Sequence, residues 1–359
     1  MAPMGAQGRA LGGGRLARSP TPSSGRRSRT CAYASSRGRR SEAAGAVRDP
    51  EQATVSSSSF ADANFPLDAE GRTYHVGTRP GEVANRILSV GPEGRARMLA
   101  SMMDGGGPAF EHASSRGFVT LTGTFEGVPV SVVATGMGTA MIDFVVRECR
   151  AVVAGDMAFL RLGTCGVVDE ATPIGTVCVA SEGSVLVRRE PDMFGVEGGC
   201  SGPPYSVSRP VPADPQLAGL LVRCLEEELG AGGVAEGMNA TADGFYASQG
   251  RVGSDFADDN EALVDLVLAA QPTVRTLEME TFALLELARA SNPQRPVVAC
   301  AAAIGLAQRR SNDFLTKEAL EALERKAGRG AMRALAQRPL ASDKETKPYE
   351  CAWRAAGAR

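Results

Sequence analysis

The chain has 359 residues, 43% of them hydrophobic and 22% charged, which is the make-up of an ordinary globular protein. Its formal net charge of −2 provides no global basic field for nucleic acid, and no run of about 18 apolar residues offers a membrane-spanning helix. The eight cysteines form no Cys-x-x-Cys pair and read as reduced thiols. The two histidines, His75 and His112, are too few for a His-rich metal centre.

In chain order, the first 41 residues hold nine arginines and no acid precedes Glu42, the composition of an organellar transit peptide. The competing reading is an arginine-biased leader, since only four of the 39 basic residues are lysines. The expectation is import into a mitochondrion or chloroplast, and otherwise a cytoplasmic protein. Residues 1–60 are read as leader and linker, 70–340 as one folded domain and 341–359 as a loose tail.

Within the domain, 87–90 reads as a short strand ending at Gly91-Pro92, and 95–103 as a helix. Strands at 119–125 and 128–135 meet at Gly127, a hairpin position. The turn Thr135-Gly136-Met137-Gly138-Thr139 leads into a helix over 140–149. Strands follow at 158–162, broken at Gly163, and at 176–180. Residues 214–229 form an amphipathic helix with Pro215 in its first turn. A strand at 238–242, helices at 261–270 and 280–290, a buried strand at 297–303 and a charged helix at 317–336 complete the domain. Strands alternating with helices argue for an α/β fold with a central, mixed sheet, and ligands then belong at the carboxyl ends of the strands. Gly136-x-Gly138 is not a dinucleotide motif, because position 141 is Met141.

Three stretches carry polar groups where the pattern expects strand ends. Arg161 lies inside the apolar run Phe159-Leu160-Arg161-Leu162, where a guanidinium must be paired. It is either bridged to a core carboxylate or a ligand for an oxyanion. Gly163 and Thr164 follow with a turn's N–H groups and a hydroxyl, which favours the phosphate. In Phe245-Tyr246-Ala247-Ser248-Gln249-Gly250-Arg251 an aromatic ring can cover a base and the Gln249 amide can both donate and accept in one plane. By composition alone the reading as a surface loop with a solvated Arg251 prevails. In Thr276-Leu277-Glu278-Met279-Glu280-Thr281 the acids are either first-turn residues of a helix or acceptors for ribose hydroxyls. Glu278 can cap while Glu280 faces a ligand.

In this order and spacing, these motifs resemble the uridine phosphorylase branch of the nucleoside phosphorylase family, over about 74–335. Phe159 to Gly166 looks like its phosphate motif, Ala134 to Gly138 its glycine turn, Leu277 to Glu280 its ribose motif and Phe245 to Arg251 its base motif. The resemblance implies a single-domain three-layer α/β/α fold, with 70–340 as the catalytic domain. It implies that Gly91, Arg95, Arg161 and Thr164 bind phosphate, with Arg116 reaching the phosphate of a neighbouring subunit. Met279 and Glu280 would hold the ribose, His75 a neighbour's ribose 5′-hydroxyl, and Phe245, Gln249 and Arg251 the uracil. The partners would be a nucleoside and inorganic phosphate, with no metal, organic cofactor, nucleic acid or membrane. A homodimer or trimer of dimers follows if Arg116 and His75 complete a neighbour's site.

Departures from the family pattern bear on the base and on a cation. Gly117 and Met141 stand where bacterial uridine phosphorylases have residues near a monovalent cation site. Ile304-Gly305-Leu306-Ala307-Gln308 replaces a segment with a polar Asn-Arg pair near the base. Purine phosphorylases and nucleosidases place an aspartate in that segment, and Asp313 lies near enough for a shifted alignment. The alternatives are therefore a purine phosphorylase or nucleosidase, or a non-catalytic nucleoside-binding protein on the same scaffold.

Overall fold

The computed structural model describes residues 62–194, 202–253, 255–340 and 351–356, so the expected leader at 1–60 lies outside the described residues. In chain order the elements are β1 (Arg86–Val90), α1 (Glu93–Ala100), β2 (Phe110–Ala113), β3 (Val119–Phe125), β4 (Val128–Ala134), α2 (Thr139–Val152), β5 (Met157–Val167), β6 (Val177–Val179), β7 (Ser184–Arg189) and β8 (Tyr205–Val207). Then come α3 (Pro215–Leu229), β9 (Val234–Glu236), β10 (Met238–Ala242), α4 (Leu263–Ala270), β11 (Val274–Glu278), α5 (Thr281–Arg289), β12 (Val297–Gln308), α6 (Lys317–Gln337) and α7 (Ala352–Ala356).

The strands form one mixed sheet in the order β2-β3-β4-β1-β5-β11-β10-β7-β8, with β12 between β5 and β6 and β9 beside β6. β1 runs parallel to β4 and β5, while β11 is antiparallel to β5. Helices α1, α3 and α6 pack together, and α6 also covers β1 and β5; α2 and α5 pack together, with α5 on β12. This is the expected three-layer α/β/α arrangement. Its main core joins Ile87, Leu88, Val132, Phe159, Leu160 and Ile304 to Leu99, Leu217 and Leu335 from the helices. A smaller core under β7, β10 and β11 holds Val185, Val187, Ala240, Val267 and Leu277.

The local signals explain several boundaries. At the β3–β4 hairpin Glu126 and Gly127 both have positive φ (52° and 76°), as a tight hairpin turn requires, and the Asp104 carboxylate accepts both their N–H groups at 3.1 and 2.8 Å. The Asp214 carboxylate caps α3 by accepting Leu217 N–H at 2.7 Å, with Pro215 at the first helical position.

Two strands are longer than their sequences indicate. β5 continues through Gly163 to Val167, and β12 continues past Ala303 to Gln308. They pair in parallel from Val297↔Met157 to Gln308↔Val167, with a register shift between Gly305 and Ala307. Gly163 and Gly305 weaken the strand signal locally, but the ladder satisfies backbone groups that would otherwise be buried unpaired. Gly305 is also required sterically, since a Cβ there would lie 2.7 Å from Val167 Cγ2. Strand β11 was not expected at all, because Arg275, Thr276 and Glu278 interrupt its apolar pattern. Residues 351–356 correct the reading of a loose tail: Cys351 and Trp353 bury against Ala84, and Ala352 N–H donates to Gly81 O at 2.9 Å.

Candidate functional site

Where β1, β5, β11 and β12 end, the chain encloses a cavity of about 250 Å³. Its walls include Gly91, Arg95, Arg161, Thr164, Phe245, Gln249, Arg251, Met279 and Glu280, residues drawn from four separated motifs. The parallel register sets this convergence. Ser89 and Val90 pair with Arg161 and Leu162, so Gly91 follows beside Gly163. The β4–α2 turn is tied to the same edge by Gly136 N–H donating to Gly91 O at 2.9 Å.

Arg161 is buried and fully engaged on one side. Its Nη1 donates to Thr135 Oγ1 at 2.9 Å and Ser89 Oγ at 3.3 Å, and its Nη2 pairs with Glu280 at 2.7 Å. Its Nε is buried with no partner. Of the two readings of this arginine the structure shows the bridge to a carboxylate, and that carboxylate also lines the cavity. Burial raises the Glu280 carboxyl above its ordinary range, Arg161 opposes the shift and Glu278 adds to it. Arg161 thus keeps one unpartnered donor, its Nε, beside the Glu280 carboxylate. Arg95 is also buried and also held, with Nε and Nη2 on Glu324 Oε1 at 2.9 and 2.6 Å and Nη1 on Leu162 O at 3.3 Å.

Glu278 and Glu280 both line the cavity but are held differently. Glu278 accepts Glu280 N–H and Thr281 N–H, both at 3.0 Å, and so caps α5. It also accepts Asn239 Nδ2 at 2.8 Å and Thr241 Oγ1 at 2.6 Å, a buried network that satisfies the polar residues of β10 and β11. Glu280 accepts Gly138 N–H from the glycine turn. Met279 between them is half-buried at the cavity wall.

At the other end Gln249 is buried in a single helical turn that follows β10. The Arg251 guanidinium stacks over the Phe245 ring at 4.0 Å, and its Nε is buried without a partner. Asn260 fixes this segment by donating to Ala247 O at 2.9 Å and Arg251 O at 3.2 Å. The sequence reading missed Arg309. Its stem covers Gly166, where a Cβ would lie 3.1 Å from Arg309 Cδ, and its Nη2 donates to Gly250 O at 3.1 Å. Its Nη1 is buried without a partner. Burial lowers the Arg251 and Arg309 pKa values, and Arg251 lowers that of Arg309 further. The signal was available: had β12 been read through Gln308, Arg309 would fall one residue past a strand that pairs alongside Gly166.

Two expected residues are not in the cavity. His75 pairs with Glu148 at 2.7 Å and stacks on Phe144, with centroids 3.9 Å apart. Arg116 is exposed and lies over the Tyr74 ring at 4.1 Å. They form one patch through the neighbouring residues Tyr74 and His75, whose rings meet edge to face. Asp313, the acid considered for a shifted alignment, is exposed, bonded to Ser311 Oγ and absent from the cavity wall. Cys165 does line the cavity, but burial pushes its thiol well above its ordinary pKa, which disfavours a thiolate nucleophile.

Residues 85–337 match the model of the Phosphorylase superfamily. The chain is 32% identical to uridine phosphorylase of Thermococcus kodakarensis over 231 residues, 64% of this chain and 76% of that protein. A solved structure from a study of two uridine phosphorylases of the oomycete Phytophthora capsici aligns with a TM-score of 0.75 and 43% identity, covering 78% of this chain and 100% of the other. A DeoD-type purine nucleoside phosphorylase of Geobacillus kaustophilus is 34% identical over a shorter stretch of 112 residues, 31% of this chain and 46% of that protein. With its mixed sheet, its cavity at the strand ends and these relatives, the chain belongs to the phosphorylase superfamily and is a nucleoside phosphorylase, a pentosyltransferase.

Proposed function

We propose that the protein splits uridine, or a closely related pyrimidine nucleoside, into uracil and ribose 1-phosphate. Inorganic phosphate is the co-substrate, and no metal or organic cofactor takes part. The observation that carries the pyrimidine reading is the base end of the cavity. There the buried Gln249 amide lines the wall with Arg251, whose Nη2 donates to Gln249 Oε1 at 3.5 Å and whose Nε is buried without a partner.

Cleavage of the glycosidic bond builds positive charge on the sugar and negative charge on the departing base. Uracil spreads that charge over two carbonyls, which accept hydrogen bonds from Gln249 and the Arg251 guanidinium without proton transfer. Donors aimed at charge that grows only in the transition state act differentially. On the opposite side of the sugar, phosphate held by Gly91, Arg95, Arg161 and Thr164 stabilises the cationic centre and attacks it. Fixing both reactants removes much of the entropic barrier. Glu280, released from Arg161 by the anion, accepts the ribose hydroxyls beside Met279, and Phe245 covers the base. Arg116 and His75 reach the cavity of a second copy, which makes the working unit a homodimer or trimer of dimers. The arginine-rich leader directs the protein to a mitochondrion or chloroplast.

A purine leaving group instead calls for an acid at its ring nitrogen. The segment where that acid would stand contributes Leu306 and Ala307 to the wall, with Asp313 turned outward. The expected result in a panel of nucleosides with excess phosphate is uridine turnover exceeding inosine turnover by about 100-fold or more, from donor matching at the base. Equal kcat/KM for uridine and inosine would remove the pyrimidine reading while leaving phosphorolysis intact.

A further inference from the structure

We infer that Glu148 is a positioning residue that fixes the tautomer of His75 and thereby selects a sugar carrying a free 5′-hydroxyl. The inference rests on the proposed role of His75 at that hydroxyl in a neighbouring copy.

Glu148 is buried on α2 and accepts every N–H that the Tyr74–Val76 turn directs at it. His75 N–H donates to both its oxygens at 3.1 Å, Val76 N–H donates to Oε2 at 2.7 Å, and His75 Nδ1 lies 2.7 Å from Oε1. A carboxylate has only acceptors to offer, so Nδ1 must carry the ring proton. Phe144, one helical turn before Glu148, stacks on the imidazole at an interplanar angle of 14° and fixes its plane. The ring is thus held on one edge by charge and on one face by an aromatic, while its side chain keeps 25% exposure. The remaining nitrogen, Nε2, is an acceptor in the neutral ring and a donor in the charged one.

A hydroxyl can meet either form, because it both donates and accepts. A 5′-methyl group can meet neither. The remaining nitrogen of His75 therefore recognises a hydroxyl because a residue that never touches the substrate holds the other nitrogen.

The test compares kcat/KM for uridine and 5′-deoxyuridine in the parent, His75→Ala and Glu148→Gln proteins. The parent is expected to favour uridine by about 10-fold, the scale of one hydrogen bond to a partly charged group. His75→Ala is expected to abolish that preference, and Glu148→Gln to reduce it to within about threefold. A general loss of folding would lower both substrates together and leave the ratio unchanged. If His75→Ala loses the preference while Glu148→Gln keeps it, the inference about Glu148 is wrong and the reading of His75 survives. If His75→Ala keeps it, both fall. Should Glu148→Gln fail to fold, 15N NMR of the parent's two histidines, with His112→Gln for assignment, decides the matter. A His75 ring protonated on Nδ1 supports the inference, and a neutral ring protonated on Nε2 overturns it.

Discussion

Replacing Arg161 with alanine is expected to lower kcat/KM for phosphate by about 10³-fold or more, because the anion loses its buried guanidinium where charge is poorly screened. The change acts twice. It removes the ligand for phosphate, and it strips the Glu280 carboxylate of its ion-pair partner at 2.7 Å. Truncating one member of a buried pair costs about 3–5 kcal/mol when the other stays charged. Here Glu280 has a way out, since burial already holds its carboxyl above the ordinary range. Removing Arg161 takes away the main influence opposing that shift, and a carboxyl whose burial favours the neutral form lowers the cost of losing its partner. Both substrates then bind badly, and raising phosphate does not restore turnover. Steady-state kinetics on a variant with a cooperative thermal transition is the measurement. A kcat close to that of the parent at saturating phosphate contradicts the assignment.

Gln249→Ala is expected to affect the opposite end of the reaction. The side chain is 2% exposed and lines the cavity beside Arg251. Losing one donor aimed at a departing anion lowers kcat by about 10²–10³-fold. Phosphate binds elsewhere, so its apparent affinity is expected to change by less than about threefold, the range of additive behaviour for groups that share no partner. The two constants separate base recognition from a general loss of cavity shape. A parallel fall in phosphate affinity and uridine turnover would place Gln249 in the scaffold rather than at the base.

The cavity was legible in the sequence wherever a polar residue interrupted an apolar run. Arg161 inside β5 and Glu280 at the head of α5 are such interruptions, and a buried charge must have a partner. The sequence also offered two partners for Arg161, a protein carboxylate and a ligand anion, and the Gly163-Thr164 turn that follows favoured the anion. The structure has the first in place, with the carboxylate itself part of the cavity. Arg309 was hidden by the extent of β12. Gly305 and the alanine-rich stretch before it weaken the strand pattern, and only pairing with β5 carries the strand to Gln308. Strand β11 was hidden for a related reason: Thr276 and Glu278 are polar, and only their bonds to Asn239 and Thr241 make them acceptable in a core. The position of His75 depends on Glu148, 73 residues away, a contact that no local pattern encodes.

The most direct test of phosphorolysis follows the sugar. Uridine and inorganic phosphate are incubated with the protein, and the products are read by 31P NMR alongside uracil release. Ribose 1-phosphate appearing in step with uracil, and no uracil when phosphate is left out, is the predicted result. Uracil released at the same rate without phosphate, with free ribose as the other product, would contradict it.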